Sequence, residues 1–201
     1  MDFSKISTVD AVNTAIVALK ANGIEAVLAA SGGDAKQKVL AMIPEGSEVM
    51  TMTSITLDTL GIAKDINESG KYVSVRAKLG DKDISPKIKR EIGAAPDVVV
   101  GSVHAVTEDG KVVIASNTGS QLPAYAYAGA KVIWVVGTQK ITSNLDSAMK
   151  RVYDYVLPLE SDRAHKAYGV EASFVSKLLI INKEVTAGRL SIVFVPEAVG
   201  F

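Results

Sequence analysis

Asp97-Val98-Val99-Val100-Gly101-Ser102 sets three β-branched residues on consecutive positions and then stops at a glycine and a hydroxyl. A run with no polar face predicts a strand buried on both sides, as in a parallel sheet covered by helices. Lys131-Val132-Ile133-Trp134-Val135-Val136 repeats the pattern and is closed by Gly137-Thr138-Gln139-Lys140. Upstream, Ile24 to Ala29 and Glu48 to Met52 are shorter strands, each running into a helix through Ser31-Gly32-Gly33-Asp34 and Thr53-Ser54. Thr8 to Asn22 carries Val9, Val12, Ile16 and Leu19 at helical spacing, with Ser7 or Thr8 as cap and Gly23 as stop. Tyr72 to Val75 is a third short strand, and Ser85-Pro86 opens a helix with a capping hydroxyl followed by proline.

Beyond the central run, Glu108-Asp109-Gly110 predicts a hairpin turn leading to Lys111 to Ala115. Pro123 stands in the first turns of a short helix. Helices are expected from about Leu145 to Tyr155 and again from Arg163 to Tyr168, interrupted at Leu157-Pro158. Leu178 to Ile181 and Ser191 to Val195 are two further apolar strands. Strands alternating with helices place the chain in the α/β class, with a mostly parallel sheet sandwiched by helices and a small β-hairpin. No linker-like composition divides it, so one domain over residues 1–201 is expected.

The composition excludes several functions. Its 201 residues are 48% hydrophobic and 22% charged, ordinary globular usage. The 22 basic residues balance the 22 acidic ones and do not cluster, which argues against a nucleic-acid partner. With no cysteine there is no thiol nucleophile, disulfide or thiolate ligand for zinc or an iron–sulfur cluster. The start, Met1 to Lys5, lacks a signal peptide's basic and apolar segments, and no apolar run approaches the ~20 residues of a membrane span. The expected location is the cytoplasm, away from a membrane.

In open α/β sheets ligands bind beyond the carboxyl ends of the strands, where helix N-termini and loop amides point into one crevice. Small polar residues stand at five such ends: Ser31, Gly32 and Gly33; Thr53 and Ser54; Gly101 and Ser102; Asn117, Thr118, Gly119, Ser120 and Gln121 after Ser116; and Gly137 through Lys140. Glycine admits a ligand close to the backbone and hydroxyls donate, a combination suited to a carboxylate or phosphate. Any one of these loops also needs Gly, Ser and Thr merely to turn and cap. Neither G-x-G-x-x-G nor G-x-x-x-x-G-K-[ST] occurs, which argues against a Rossmann-type dinucleotide or P-loop site.

The chain has two histidines. His104, just past the central strand, suits an acid, base or donor near neutral pH, and equally a hydrogen-bonded structural role. His165 falls in a charged helical stretch with a solvated face. The two are too far apart for a metal motif, and no metal site is expected. Lys140 offers a cation to an anionic ligand. Arg151, Glu160 and Arg163 are expected to pair with one another. No Ser-His-Asp or Ser-Lys arrangement can be read from the spacing.

Asp97-Val-Val-Val-Gly-Ser-Val-His-Ala-Val-Thr-Glu-Asp-Gly110 resembles the central motif of the LUD domain, the family of lactate-utilisation protein C and its relatives. The likeness continues through Ile114 to Pro123, Val132 to Ile141, Ala148-Met-Lys-Arg151 and Leu157-Pro-Leu-Glu-Ser-Asp-Arg163. Thr53-Ser-Ile-Thr-Leu-Asp-Thr-Leu-Gly61 is similar to the family's short Ser-x-Thr-Leu motif. The dense part spans 97 to 163, and a looser likeness covers nearly the whole chain.

The resemblance implies a fold of the NagB/RpiA/CoA-transferase type. It also implies a role in bacterial oxidation of lactate or a similar hydroxy acid, alongside iron–sulfur or flavin subunits. This chain lacks the cysteine-rich segments of some members, so it is expected to carry no cluster or other cofactor itself. The superfamily's enzymes use a positioned carboxylate. Glu108 and Asp109 are the acids inside the densest motif, which pairs Glu108 with His104 as catalytic candidates; a solvent-facing turn is the other reading of Glu108. Two further roles stay open, a self-sufficient enzyme on a phosphosugar or acyl-CoA and a ligand-sensing module. The apolar C-terminus, Val195 to Phe201, suits packing on the core or against a second copy in a homo-oligomer.

Overall fold

The computed structural model describes residues 2–201. Helix α1 (Val9–Ala21) begins where Thr8 Oγ1 accepts the Ala11 N–H at 3.3 Å, and it buries Val12, Ala15 and Leu19. Strand β1 (Glu25–Leu28), helix α2 (Gly32–Ala41) and strand β2 (Glu48–Thr51) follow. Ser31 caps α2, and Ser54 caps the short helix α3 (Ile55–Thr59), which leads into α4 (Ile62–Glu68). The strand expected at Tyr72 to Val75 shrinks to β3 (Val73–Ser74), because the Ser74 hydroxyl accepts the Ala77 N–H and Val75 opens helix α5 (Val75–Gly80). Helix α6 (Pro86–Ala94) starts at the expected Ser85-Pro86 cap.

Strand β4 (Val98–Gly101) is the central run, buried at all four positions. The hairpin follows as β5 (Ala105–Thr107) and β6 (Val112–Ser116), then a π turn at Ala124–Ala128 and strand β7 (Lys131–Gly137). A 3₁₀ turn at Thr138–Lys140 leads to β8 (Ile141–Thr142) and helix α7 (Leu145–Arg151). The expected break at Leu157-Pro158 is instead a π turn at Val152–Val156, through which α7 runs into α8 (Leu157–Tyr168). Pro158 falls in the first turn of α8, where a wide turn has already interrupted the regular ladder and a missing N–H costs little. Strands β9 (Lys177–Ile181) and β10 (Leu190–Val195) complete the chain.

Six strands form one sheet in the order β1-β10-β7-β4-β2-β3, and every pairing in it is parallel. The predicted hairpin is the middle of a second, four-stranded sheet, β8-β5-β6-β9. The two late apolar strands therefore part company, β10 entering the parallel sheet and β9 pairing with β6. One face of the parallel sheet (Val49, Val98, Val100, Ile133, Val135, Val193) packs on α2, α3 and α4 through Ala35, Val39, Leu57, Ile62 and Ile66. The other face (Met50, Val99, Val132, Trp134, Ile192, Phe194) packs on α1 and on the second sheet's Val106, Val112 and Ile114. The far side of the second sheet is covered by α7 and the π turn after it, through Ala148 and Val152. The helix-covered parallel sheet is as the sequence predicts; a second sheet makes one of its two covers.

Because all six strands run the same way, their carboxyl ends share one edge. The C-terminal segment crosses that edge: Val199 is 4% exposed, and its carbonyl accepts the Thr56 hydroxyl at 3.1 Å and the Gln139 amide at 3.0 Å. Among the described residues, no helix is long and apolar enough to cross a membrane.

Candidate functional site

A cavity of about 1090 Å³ opens beyond the ends of β2, β4 and β7, roofed by the end of β6, by α8 and by the loop after it. Strand order decides which of the five expected loops reach it. Thr53, Ser54, Ser102, Lys140 and Asn117 through Gln121 all line it, together with His104. Ser31, Gly32, Gly33 and Gly137 do not. Two strands stand between β1 and β4, so the Ser31 loop lies about 14 Å along the edge at ~4.8 Å per strand. The Gly32 N–H already donates to the Glu197 carboxylate at 2.7 Å. Thus the α2 N-terminus, expected to face a ligand, faces an acid of the same chain. At Gly137 the space a Cβ would need is taken by the Glu197 carbonyl and the Gln139 amide, so that glycine admits protein rather than ligand.

Glu108 is not in the cavity lining either. It sits at the hairpin, its N–H donating to the Thr142 carbonyl, and the turn packs against the end of α1, where Asn22 donates to the Asp109 and Gly110 carbonyls. The turn reading of Glu108 describes its position, and among the described residues no hydrogen bond joins it to His104.

His104 is held by its backbone neighbours. Its Nδ1 accepts the Ala115 N–H at 3.1 Å, which leaves the neutral ring's proton on Nε2. Burial, with the nearby Lys140 and Arg151 cations, pushes its pKa down to about 3. Near neutral pH it is therefore an N–H donor on the cavity wall, and protonation is opposed by its surroundings.

Lys140 is buried at the base of the cavity, 2% exposed. Its Nζ donates to Thr56 Oγ1 (3.1 Å), Ser102 Oγ (3.1 Å) and the Val103 carbonyl (3.2 Å), all neutral oxygens. Burial, with the Arg151 charge, pushes its pKa down to about 7. Arg151 departs from the expected pairing. It is fully buried, donates to the His104 carbonyl at 2.6 Å and lies 5.1 Å from the Tyr155 ring centre, and among the described residues it has no carboxylate partner. Glu160 and Arg163 do pair, through two 2.7 Å contacts. His165 is exposed, as expected.

Three cations on the wall were not anticipated. Arg76 of α5 donates to the Thr51 carbonyl and to Thr53 Oγ1, both at 2.8 Å, and Lys89 and Arg90 of α6 stand beyond it. A sequence signal existed for Arg76, a cation in a first helical turn that contains no acid, contrary to the dipole preference. Tyr125 backs the cavity. Its hydroxyl lies where a Cβ on Gly101 would fall, and its ring meets Trp134 edge-on at 5.4 Å. Tyr168, Val170 and Phe174 form an apolar rim that no sequence pattern marked. Among the described residues, no three His, Asp or Glu side chains gather at metal-ligand spacing.

The model of the LUD domain family matches residues 12–172. A crystal structure of a DUF162 family protein from Deinococcus radiodurans superposes with a TM-score of 0.59 at 11% identity, covering 95% of this chain and 99% of that one. At that identity the likeness concerns the fold. A crystal structure of eIF2B beta from Chaetomium thermophilum overlaps at a TM-score of 0.39 and 13% identity, over 56% of this chain and 43% of that one, and nothing is built on it. No curated protein matches the chain.

Proposed function

The chain belongs to the LUD domain family, and from that premise we propose that it serves the oxidation of lactate or a similar small hydroxy acid as a subunit or accessory factor, its cavity holding an anionic group. One observation carries the ligand part, the unbalanced charge of the cavity. Arg76, Lys89 and Arg90 line it, and among the described residues none of the three is in a salt bridge. The acids on the wall are Asp58 and Glu160, and Glu160 is already held by Arg163. Asp58 offsets part of the Arg76 charge, and the excess of cations over free acids focuses a positive potential into the cleft and favours an anion there.

Size narrows the ligand. Small-molecule clefts run to roughly 300–1,000 Å³, and a cavity of about 1090 Å³ is far larger than a three-carbon acid needs. An anionic group of cofactor size, free or carried by a partner subunit, fits the space and the charge better than lactate alone. Thermal unfolding in the presence of lactate, pyruvate, inorganic phosphate and a nucleoside diphosphate tests this. Stabilisation is expected from the larger anion first, and a ligand at a hundred times its Kd adds about 2.7 kcal/mol. No stabilisation by any of them, or equal stabilisation of Arg76→Gln, refutes the anion site. The partner reading fails if affinity capture from the native host grown on lactate recovers no iron–sulfur or flavin protein.

A further inference from the structure

The three partners of Lys140 Nζ dictate where its protons go. The Val103 carbonyl can only accept. Thr56 commits its own proton to the Val199 carbonyl at 3.1 Å, so toward Lys140 it too can only accept. As an ammonium, Lys140 gives one proton to each of its three neighbours. As a neutral amine it has two, which Val103 and Thr56 take, and its lone pair is left facing Ser102 Oγ at 3.1 Å. The Ser102 hydroxyl must then donate to that lone pair. Of the two side chains, Ser102 is the half-buried one, at the end of the central strand on the cavity wall, while Lys140 is enclosed behind it.

We propose that Ser102 and Lys140 form a nucleophile and general-base dyad for acyl transfer, acting on an ester or thioester that bears an anionic group. Recognition of that anion rests on the cavity reading above; the dyad rests on the three hydrogen bonds. The enclosure of Lys140 argues against the alternative in which its amine itself attacks a carbonyl, because the residue is 2% exposed and its Nζ is already engaged by Thr56, Ser102 and the Val103 carbonyl. Burial that brings the amine to about 7 keeps a large neutral fraction at neutral pH, the state a base needs.

In the first step Ser102 Oγ bonds to the acyl carbon and its proton passes to Lys140 Nζ, while the carbonyl electron pair moves onto oxygen. The His104 Nε2–H, fixed in that tautomer by the Ala115 amide, is a donor on the same wall suited to that oxygen. Collapse reforms the carbonyl and breaks the bond to the leaving oxygen or sulfur, which takes the proton from Nζ. Water then attacks the acyl–Ser102 ester and gives a proton to Nζ, and the freed Ser102 oxygen recovers it as the acid departs.

A fluorophosphonate probe tests the dyad, since it is attacked by the same oxygen with loss of fluoride and carries no anion to be recognised. The full chain should be labelled at Ser102 by peptide mass spectrometry. Labelling should be abolished in Ser102→Ala and slowed by at least ~100-fold in Lys140→Met. The wild-type rate should fall about tenfold per pH unit below about 7, which keeps the test sharp if Lys140→Met does not fold. No labelling, labelling elsewhere, a flat pH profile, or an equal rate in folded Lys140→Met overturns the proposal. Anion stabilisation that persists without labelling sinks the dyad alone, whereas labelling without anion stabilisation supports the dyad and sinks only the anion reading.

Discussion

Lys140→Met replaces an enclosed amine by an apolar chain of similar length, and the structure dictates how its effect on stability varies with pH. In the unfolded chain this amine takes the ordinary lysine value of 10.5, and in the fold burial holds it at about 7. Between those values the unfolded chain binds one proton more than the native one, so native stability rises with pH across the window. The slope approaches ~1.36 kcal/mol per pH unit. From about pH 7 to pH 9 the gain is about 2 kcal/mol, and across the whole window it approaches about 5 kcal/mol. Below about pH 6 both states are protonated and this contribution is flat at its least favourable value.

Methionine has no such titration; groups remote from Lys140 cancel in the difference between the two proteins, and His104, which the Lys140 charge helps hold at about 3, stays neutral above pH 7 in wild type. Urea unfolding of wild type and Lys140→Met at a series of pH values should show wild type gaining steadily on the variant above about pH 7. The variant also leaves the buried Val103 carbonyl without its donor, a penalty of roughly 1–3 kcal/mol. That offset does not depend on pH and leaves the slope intact. A difference constant to within roughly 0.5 kcal/mol from pH 6 to pH 9 would mean that Lys140 keeps an ordinary lysine titration in the fold.

His104 should stay neutral with its proton on Nε2 between about pH 5 and pH 8, read from its ¹⁵N shifts; because its folded pKa is lowered from 6.5 to about 3, it contributes stability that is lost as pH falls through that interval. A titration of this ring near 6.5 sinks the fixed-donor assignment. Glu197→Ala should uncover the Gly32 amide at the α2 N-terminus and cost roughly 0.3–1 kcal/mol. Anion-induced stabilisation should be unchanged in that variant, and its loss would mean that the Ser31 loop belongs to the cleft after all.

Much of the architecture was legible because it is written in local pattern. Val98 to Val100 and Val132 to Val136 are apolar at consecutive positions and are buried strands; Thr8, Ser31, Ser54 and Ser85 each cap the helix they precede. Where the reading slipped, a side chain chose between two local partners. Ser74 ends its strand by capping α5, and a π turn carried the helix across the approach to Pro158. Neither choice shows in periodicity, since each depends on what packs beside it. The LUD resemblance, carried by ordered motifs from 97 to 163, agrees with the family match over residues 12–172.

The site was legible only in part. Ser102, His104, Lys140 and the loop from Asn117 to Gln121 do meet in one cavity, because each follows a strand whose end lies on it. Ser31 to Gly33 and Gly137 have the same composition and lie outside. Read alone, the residues show which positions end strands and which cap helices, and that the chain carries no thiol of its own, all consequences of backbone geometry and side-chain type. Tertiary structure alone decided the strand order that brings β2, β4 and β7 together. It also brought Arg76 and α6 to the wall and left Lys140 buried among three neutral oxygens, with no acid bonded to it among the described residues. The physical reason is that burial and the identity of a proton's partner are properties of neighbours in space. Ser102 and Lys140 stand 38 residues apart, and no local pattern reports that their side chains touch.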